Sequence, residues 1–260
     1  MKNKSLLPKI NLEKEKNKIV NFIKKTLSEQ KIQNVVIGMS GGIDSTLSLY
    51  LLKEVVPLKN ITVTHLYYAE PQFANVKKLL TNLNFPEKNI HLISIKKSVD
   101  ITSQTLSIDS SNKDRLRKGN LSARMRMIAL FDLAKVNKAL VLGTENKSEN
   151  LLGYFTRFGD QASDIEPIEH LYKTQVFELA KYMGIPPDII NQPPSAGLWK
   201  NQTDEIELGF TYEEADQVLY LFLEKNMTMN EIEKNRFKNA EKIIKRYEQN
   251  KFKHETPYTL

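Results

Sequence analysis

Short apolar runs alternate with amphipathic stretches along most of this chain. Four runs of strand length lie at 35–37, 61–68, 90–95 and 139–143, and each predicts a strand. The β-branched residues 35–37 have the composition of a buried strand. Apolar positions three or four residues apart predict helices. These helices are Leu12–Glu29, Leu47–Val56, Val76–Leu83, a long one that Gly119 and Asn120 open, Thr174–Met183, Tyr212–Glu224 and Met229–Tyr247.

The order of these elements predicts the fold class. Strands that alternate with helices favour a parallel sheet joined by right-handed crossovers. We therefore expect an α/β protein with a doubly wound, mostly parallel sheet and helices on both faces. The 260 residues are expected to form one domain, residues 1–260, with a substantial core. Ligands bind beyond the carboxyl ends of such strands, so the loops after Ile37, Leu66 and Leu142 should share one crevice.

The loop after the first strand has the composition of a phosphate site. Its residues are Gly38, Met39, Ser40, Gly41, Gly42, Ile43, Asp44 and Ser45. Glycines let a backbone approach an anion, and unpaired N–H groups at the following helix start point towards it. The loop lacks the lysine of a Walker A motif, but the Asp44 carboxylate is placed to hold Mg²⁺ on a bound phosphate. A plain tight turn capped by Asp or Ser is the alternative that the pattern leaves open.

Other residues that could bind a metal or a phosphate come after the later predicted strands. Glu149 comes a few residues after the fourth strand, where it can meet a Mg²⁺ held by Asp44. Lys173 opens a predicted helix, so its ammonium can reach a phosphate near that helix N-terminus. Arg124 lies near the start of the predicted helix that Gly119 opens. A pocket rim and a solvated position are equally open for it.

Residues 107–118 and roughly 192–204 are polar, and their apolar residues do not recur at helix or strand spacing. We predict that these two segments are mobile lids. The polar tail from Asn250 to Leu260 is expected to fray unless a ligand or partner orders it. His65 lies inside a strand pattern with no second histidine nearby, which favours a buried histidine with a hydrogen-bond partner over a metal ligand.

Composition narrows the class of protein. No apolar run approaches the length of a membrane span, and the first residues lack a signal-peptide core, so we expect a cytoplasmic protein without a membrane partner. The absence of cysteine excludes disulfides, a cysteine metal site and a cysteine nucleophile. The net charge of +7 is compatible with nucleic acid or anionic small molecules. Much of it lies on lysine-rich helices, which favours solvated faces.

Five blocks of residues, in order, resemble the ammonia-dependent NAD synthetases, which belong to the N-type ATP pyrophosphatases. The blocks are 40–45, 119–127, 143–149, 153–164, and 194–198 with 203–205. The first block marks only the superfamily, whereas the later ones are specific to NAD synthetases. Together they span nearly the full chain. The resemblance implies a Rossmann-like sheet of the adenine nucleotide alpha hydrolase type.

The resemblance also implies a reaction. The nicotinate carboxylate of deamido-NAD attacks the α-phosphate of ATP, pyrophosphate leaves, and ammonia converts the adenylated intermediate to NAD with release of AMP. Charge builds on the leaving pyrophosphate, so preorganised donors and Mg²⁺ are expected to catalyse the first step.

Site residues follow from the same resemblance. The Gly38–Ser45 loop would cradle phosphate, and Asp44 and Glu149 would hold Mg²⁺. ATP would be contacted further by Lys173, Thr144 and Ser195, and deamido-NAD by Arg124, Arg157 and Asp164. The expected catalytic residues are Asp44, Lys173 and Asp164, with Asp164 near the ammonium that must lose a proton. The resemblance further implies a two-fold homodimer in which each deamido-NAD touches both subunits.

Two functions from other classes compete with this interpretation. A tRNA-modifying pyrophosphatase would share the first block and the basic charge, but its basic residues would be interleaved with aromatics for single-strand binding, which is not seen here. A catalytically inactive nucleotide-binding protein would not need Asp44, Glu149 and Lys173. Glutamine as nitrogen donor requires an amidotransferase domain with a nucleophilic cysteine, so we expect ammonia, free or from a separate glutaminase.

Overall fold

The computed structural model describes residues 5–71, 73–109, 111, 113–195, 202–234, 237–255 and 257–259. The strands are β1 Asn34–Gly38, β2 Ile61–Tyr67, β3 Ile90–Ser94 and β4 Ala139–Leu142. The α-helices are α1 Leu12–Gln30, α2 Ile43–Leu52, α3 Ala74–Asn82, α4 Lys96–Thr105, α5 Arg115–Asn137, α6 Lys147–Leu151, α7 Lys173–Tyr182, α8 Pro187–Ile190, α9 Asp204–Leu208, α10 Tyr212–Leu219, α11 Met229–Glu233 and α12 Ala240–Asn250. A π-helical turn, Tyr220–Glu224, extends α10.

The strands form one parallel sheet in the order β3-β2-β1-β4. Successive residues of a strand point to opposite faces. In the central strand β1, Val35 and Ile37 accordingly join the apolar cluster of one face, and Val36 joins that of the other. Both faces are covered, so the doubly wound parallel fold predicted from the sequence is confirmed. The four predicted strands are confirmed as well, with ends that differ by a residue or two.

Different helices cover the two faces of the sheet. Ile19 and Ile23 of α1 and Val176 of α7 pack with the α2 side chains on the first face. Ala134 of α5 packs beside Val36 on the second face, where Val99 of α4 belongs to a neighbouring cluster. This arrangement leaves the carboxyl edge of the sheet between the two helical layers.

The helix after the glycine loop is not the amphipathic helix that we predicted at Leu47–Val56. α2 begins at Ile43, and every residue from Ser45 to Leu52 is buried. The reason is that α1 and α7 pack on α2 in addition to β1. A helix enclosed on all sides has no solvent face to give a polar stripe.

The segment between β3 and β4 also departs from prediction. The apolar pattern does not predict α4, and α5 begins at Arg115, so Gly119 lies buried inside this helix and does not open it. The Asp114 carboxylate stabilises this start by accepting from Arg117 Nη1 (2.8 Å) and Asp109 N (3.0 Å). Arg124 is therefore a mid-helix residue, and the predicted loop 107–118 is shorter by several residues.

The C-terminal helices form an apolar cluster of their own around Leu219, Ile232 and Ile243. The single helix predicted at Met229–Tyr247 is wrong, because α11 and α12 are separate. Between them Asn239 has a non-helical backbone (φ −113°, ψ 16°), and its N and Nδ2 donate to the Glu214 carboxylate at 2.8 and 2.7 Å. These bonds fix the junction on α10, which the hydrophobic period alone does not reveal.

The start of the C-terminal tail is more ordered than expected. Lys253 Nζ donates to the carbonyl oxygen of Phe155 at 3.0 Å, and His254 Nε2 lies 2.7 Å from that of Asn150. His65 is buried, with Nδ1 2.8 Å from the Met39 carbonyl oxygen, which confirms the predicted core histidine. In the described part of the chain, the helices are too short or too polar to cross a bilayer.

The lid prediction falls partly outside the described residues. Residues 110 and 112 of the first segment and 196–201 of the second are not among them. The predicted mobility of both segments stays a prediction.

Candidate active site

The glycine loop connects the buried end of β1 to the first turn of α2. Met39 N donates to the Thr64 carbonyl oxygen at 2.8 Å, which fixes the loop against β2. Gly41 has φ +94°, a conformation that side chains disfavour. Ser40 Oγ accepts from Gly42 N at 3.2 Å and lies 3.1 Å from Ser45 Oγ. The two serines thus brace each other across the loop.

The N-terminus of α2 keeps donors available for an anion. Gly42 is the N-cap residue, and no side chain among the described residues caps this helix. The first N–H groups of a helix lack partners within it, and the helix dipole favours negative charge there. The alternative, a plain tight turn capped by Asp or Ser, shares this loop geometry, because Ser40 Oγ accepts from Gly42 N. The loop and helix together have the geometry of a phosphate site.

Asn146 joins the ends of β1 and β4. It is fully buried. Its Oδ1 accepts from Glu149 N at 3.1 Å, and its Nδ2 donates to Asp44 Oδ1 at 2.9 Å. One amide therefore caps α6 and orients the Asp44 carboxylate, which brings the two predicted Mg²⁺ ligands to the same place.

Lys173 lies between these two carboxylates. Its Nζ is 2.6 Å from Asp44 Oδ2 and 2.8 Å from Glu149 Oε1, and the residue is 1% exposed. Desolvation lowers the pKa of Lys173, but the two carboxylates outweigh this and raise it above its ordinary value. Burial raises the pKa of Glu149, and the Lys173 charge opposes that rise. We name Asp44, Glu149 and Lys173 the ion cluster; the structure brings together these three predicted residues.

The ion cluster is supported from α10. The Asp216 carboxylate, which is fully buried, accepts from the Ser148 hydroxyl, from Thr174 N at 2.9 Å and from Thr174 Oγ1 at 2.7 Å. Ser148 Oγ in turn accepts from Lys173 N at 2.7 Å. Asp216 therefore caps the first turn of α7 from a distant helix and fixes the backbone that carries Lys173. Burial raises the pKa of Asp216 to about 6, although these donors favour its ionised form.

The donors of the ion cluster fit Mg²⁺. This ion is commonly held by one or two carboxylates and completed by substrate phosphates and water. Asp44 and Glu149 supply two carboxylates, each 18% exposed at the side chain. Within the described ranges, no set of three or more acidic or histidine side chains is arranged to hold a metal by itself. A shared Mg²⁺ would need phosphate ligands, as expected beside the glycine loop.

Other predicted residues lie away from the ion cluster. Arg124 Nη2 donates to the Arg157 carbonyl oxygen at 3.3 Å, which brings these two together. The Arg157 guanidinium lies over the rings of Phe158 and Phe252, at 5.3 and 5.6 Å. Both arginines stay predicted ligands of deamido-NAD.

Asp164 lies beside β4. Its Oδ2 accepts from Val141 N at 2.8 Å, one residue before the end of β4. Thr144 is half-buried directly after β4, and Ser195 is exposed beside the undescribed residues 196–201. The roles predicted for these three residues stay predictions.

Sequence reasoning missed several residues of the site: Asn146, Ser148, Thr174, Tyr212 and Asp216. The Tyr212 ring lies 5.3 Å from Lys173 Nζ, and its hydroxyl donates to Asp204 Oδ2 at 3.1 Å. Asn146 and Ser148 stand inside a recognised block, which is a usable signal. Nothing local marks Asp216, since it lies 42 residues from Thr174, from whose backbone N–H it accepts.

The chain is similar to known proteins over nearly its whole length. A family model described as NAD synthase matches residues 15–257. An NH(3)-dependent NAD(+) synthetase from Fusobacterium nucleatum is 37% identical over 254 residues, 95% of this chain and 95% of that protein. A solved NMN synthetase from Francisella tularensis superposes with a TM-score of 0.81 at 32% identity, covering 97% of this chain and 99% of that one. An NH3-dependent NAD synthetase from Campylobacter jejuni, solved with a nitrate ion, gives 0.74 at 29% identity, covering 96% and 100%.

Proposed function

This chain belongs to the NAD synthase family, and from that premise we propose that it amidates deamido-NAD with ammonia at the expense of ATP. It is an enzyme of NAD biosynthesis, a ligase that forms a C–N bond. The observation that carries the proposal is the ion cluster beside the glycine loop. It combines two carboxylates, one ammonium and a free helix N-terminus at the carboxyl edge of the sheet.

In the first step a nicotinate carboxylate oxygen bonds to the α-phosphorus of ATP, and the bond from that phosphorus to pyrophosphate breaks. The α2 N-terminus and the Ser40 and Ser45 hydroxyls are placed to donate to phosphate oxygens as charge builds on the leaving group. Lys173 supplies a positive charge that Asp44 and Glu149 hold in position. When bound, Mg²⁺ would be held by Asp44 and Glu149 and would neutralise phosphate charge.

In the second step the ammonia nitrogen bonds to the activated carbonyl carbon, and AMP leaves with the electron pair of the C–O bond. A proton of the attacking nitrogen goes to the departing phosphate. Cysteine is absent from the sequence, so this chain supplies no thiol for releasing ammonia from glutamine. Ammonia is therefore the proposed nitrogen donor.

A second candidate substrate is nicotinate mononucleotide. The observation that favours it is the NMN synthetase of Francisella tularensis, whose structure superposes better than the Campylobacter jejuni NAD synthetase does, at 0.81 against 0.74. Both substrates carry the same nicotinate carboxylate, so the ion cluster serves either. Discrimination would depend on contacts to the adenylate half, which the mononucleotide lacks.

One incubation tests both candidates. The enzyme is given ATP, Mg²⁺ and ammonium with either deamido-NAD or nicotinate mononucleotide, and the amide and AMP are measured. We expect equal amounts of NAD and AMP from deamido-NAD, and near-complete loss in Asp44→Asn and Glu149→Gln. A higher kcat/KM for the mononucleotide would transfer the assignment to the second candidate, and no AMP with either substrate would refute the proposal.

We also propose a homodimer that completes the dinucleotide site. α5 carries Arg124 and exposes Ile128 and Val136 to solvent on the same side of the helix, two apolar side chains that a second copy can cover. Leu130 of the same helix packs against Gly38, whereas Ile128 is exposed, so Ile128→Glu is the suitable disrupting variant. We expect a folded monomer. Relative to the parent, its affinity for deamido-NAD should fall more than its affinity for ATP. Unchanged deamido-NAD affinity in that monomer would refute the shared site.

A further inference from the structure

Arg246 is a half-buried cation on α12 that bonds to a backbone carbonyl. Its Nε donates to the Leu152 carbonyl oxygen at 3.1 Å, and its guanidinium lies 5.7 Å from the centre of the Tyr154 ring. Burial lowers the pKa of Arg246, and the negative charge of Glu207 opposes this. Removing a guanidinium from water costs free energy, so this position calls for a role beyond that of a surface charge.

The carbonyl belongs to an irregular loop, residues 152–157, which we name the substrate loop. Buried carbonyls outside helices and strands need donors from elsewhere. Lys253 Nζ donates to the Gly153 carbonyl oxygen. Gly153 has φ +59°, and a Cβ there would overlap the Asn250 side chain. The substrate loop therefore lies directly on the C-terminal helix, and it ends at Arg157, a predicted ligand of deamido-NAD.

Tyr154 connects the substrate loop to a second segment. Its hydroxyl donates to Glu207 Oε2 at 2.9 Å, and Gln202 Nε2 donates to the same oxygen at 2.8 Å. Glu207 belongs to α9, whose first residue donates from its backbone N–H to the Pro194 carbonyl oxygen at 2.9 Å. The bonds of Tyr154 therefore reach the base of the segment that contains Ser195, a predicted contact of ATP.

We propose that Arg246 is a positioning residue that makes deamido-NAD and ATP bind cooperatively, an inference that rests on the proposed function. Arg246 fixes the Leu152 backbone. That backbone determines where the Tyr154 hydroxyl meets Glu207. A ligand that orders either segment therefore orders the other, and the second ligand has less conformational freedom to remove. Each substrate raises the affinity for the other by the same factor, because coupling between two sites is reciprocal.

Two simpler roles for Arg246 give different results. If it only stabilised the packing of α12, where Ile243 and Ile244 are buried, its loss would lower the free energy of unfolding without changing the coupling. If it only attracted phosphate, its loss would lower both affinities and leave the coupling unchanged. Tyr154→Phe distinguishes these roles, since it removes one hydroxyl and keeps the ring, the backbone and Arg246.

The test measures binding without turnover. The affinity for deamido-NAD is determined by calorimetry with Mg²⁺, in the presence and absence of α,β-methylene-ATP, whose α-phosphorus cannot release pyrophosphate. In the parent we expect the analogue to tighten deamido-NAD binding by about fivefold or more. In Tyr154→Phe and in Arg246→Met this gain should fall below about twofold, while the affinity for deamido-NAD alone stays within about threefold of the parent.

A double variant and a matched control complete the design. Arg246→Met/Tyr154→Phe should lose no more coupling than either single variant, because both changes break the same connection. Lys251→Met removes a positive charge from the same C-terminal segment, but this exposed ammonium lies over the Tyr247 ring at 4.9 Å. It should keep the coupling of the parent.

The outcomes separate the inference from the proposed function. No binding of deamido-NAD to the parent, with or without the analogue, would refute the proposed function. Binding without coupling in the parent would overturn the inference, and so would full coupling in either folded single variant. Urea denaturation establishes that each variant is folded. If Arg246→Met is not, Tyr154→Phe alone decides, since it leaves the contacts of Arg246 in place.

Discussion

Replacing Lys173 by Met tests the electrostatics of the ion cluster directly. Met keeps the length and apolar stem of the side chain but leaves Asp44 and Glu149 facing each other without a cation. In the parent protein the ammonium lies 2.6 and 2.8 Å from the two carboxylates. The variant should therefore be less stable without ligands, and it should gain an affinity for Mg²⁺ that the parent ammonium opposes.

The magnitude follows from burial. Removing one partner of a buried ion pair lowers the free energy of unfolding by roughly 3–5 kcal/mol. Water still reaches the two carboxylates, which are each 18% exposed. Glu149 can also take up a proton, because burial already raises its pKa. Both effects reduce the loss, so we expect roughly 2–3 kcal/mol at neutral pH without divalent ions.

Mg²⁺ should restore part of this stability. A ligand that binds only the folded state stabilises it by about 1.4 kcal/mol at ten times its dissociation constant. Urea denaturation of both proteins, with and without millimolar Mg²⁺, measures the effect without reference to catalysis. We expect a clear Mg²⁺-dependent rise in Lys173→Met, a smaller one in the parent, and none in the double variant Lys173→Met/Glu149→Gln.

Lys147→Met is the matched control. Lys147 Nζ forms an ion pair with Glu224 Oε1 at 2.6 Å, but both side chains are partly exposed, so its loss should lower the free energy of unfolding by less than about 1 kcal/mol. No Mg²⁺ response is expected there. A Lys173→Met protein as stable as the parent, or one indifferent to Mg²⁺, would refute a shared metal site at Asp44 and Glu149.

Three further predictions concern the surroundings of the site. Asp216→Ala leaves the Ser148 and Thr174 donors unpaired and should lower the free energy of unfolding by roughly 3 kcal/mol in urea denaturation, with a fall in kcat that Asp216→Asn largely recovers. Burial raises the pKa of Glu166 from 4.5 to about 8, so the folded state keeps a proton that the unfolded chain releases. The free energy of unfolding should therefore fall as the pH rises from about 5 to 8, by up to about 1.4 kcal/mol per pH unit. The fall should be less steep in Glu166→Gln. Gly143→Ala must displace the Glu166 carboxylate and should lower the free energy of unfolding by roughly 1–3 kcal/mol in urea denaturation.

The sequence predicted the central strands well because β1 and β2 are buried on both faces. A run such as Val35–Ile37 is apolar without alternation, and that signal is local. Burial on all sides also explains why α2 was not predicted correctly. The helix has no polar face, so its sequence lacks the amphipathic repeat that indicates a helix boundary. α5 shows the opposite failure, since Gly119 was read as a helix boundary although the Asp114 contacts start the helix four residues earlier.

Part of the site was predictable for a similar reason. Asp44, Glu149 and Lys173 each follow or open a local element, and the rule that strand ends of a parallel sheet share one edge brings them together. Asp216 and Asn146 act through contacts between elements far apart in sequence, 42 residues from Thr174 and 102 from Asp44. Pairings of that kind depend on how the layers pack, which local periodicity does not encode.

The charges of the site explain why its parts are held so firmly before any ligand arrives. The two carboxylates and one ammonium of the ion cluster carry a net charge of −1, which attracts a divalent cation, while the ammonium prevents the carboxylates from repelling each other in the meantime. If the carboxylates engage a metal with the phosphates of ATP, Lys173 loses its partners and can turn its charge to the phosphates. Its backbone cannot follow, because Asp216 and Ser148 fix the first turn of α7. The movement is therefore limited to the side chain. Under the proposed function, the lysine that neutralises the two carboxylates would then donate to the leaving pyrophosphate.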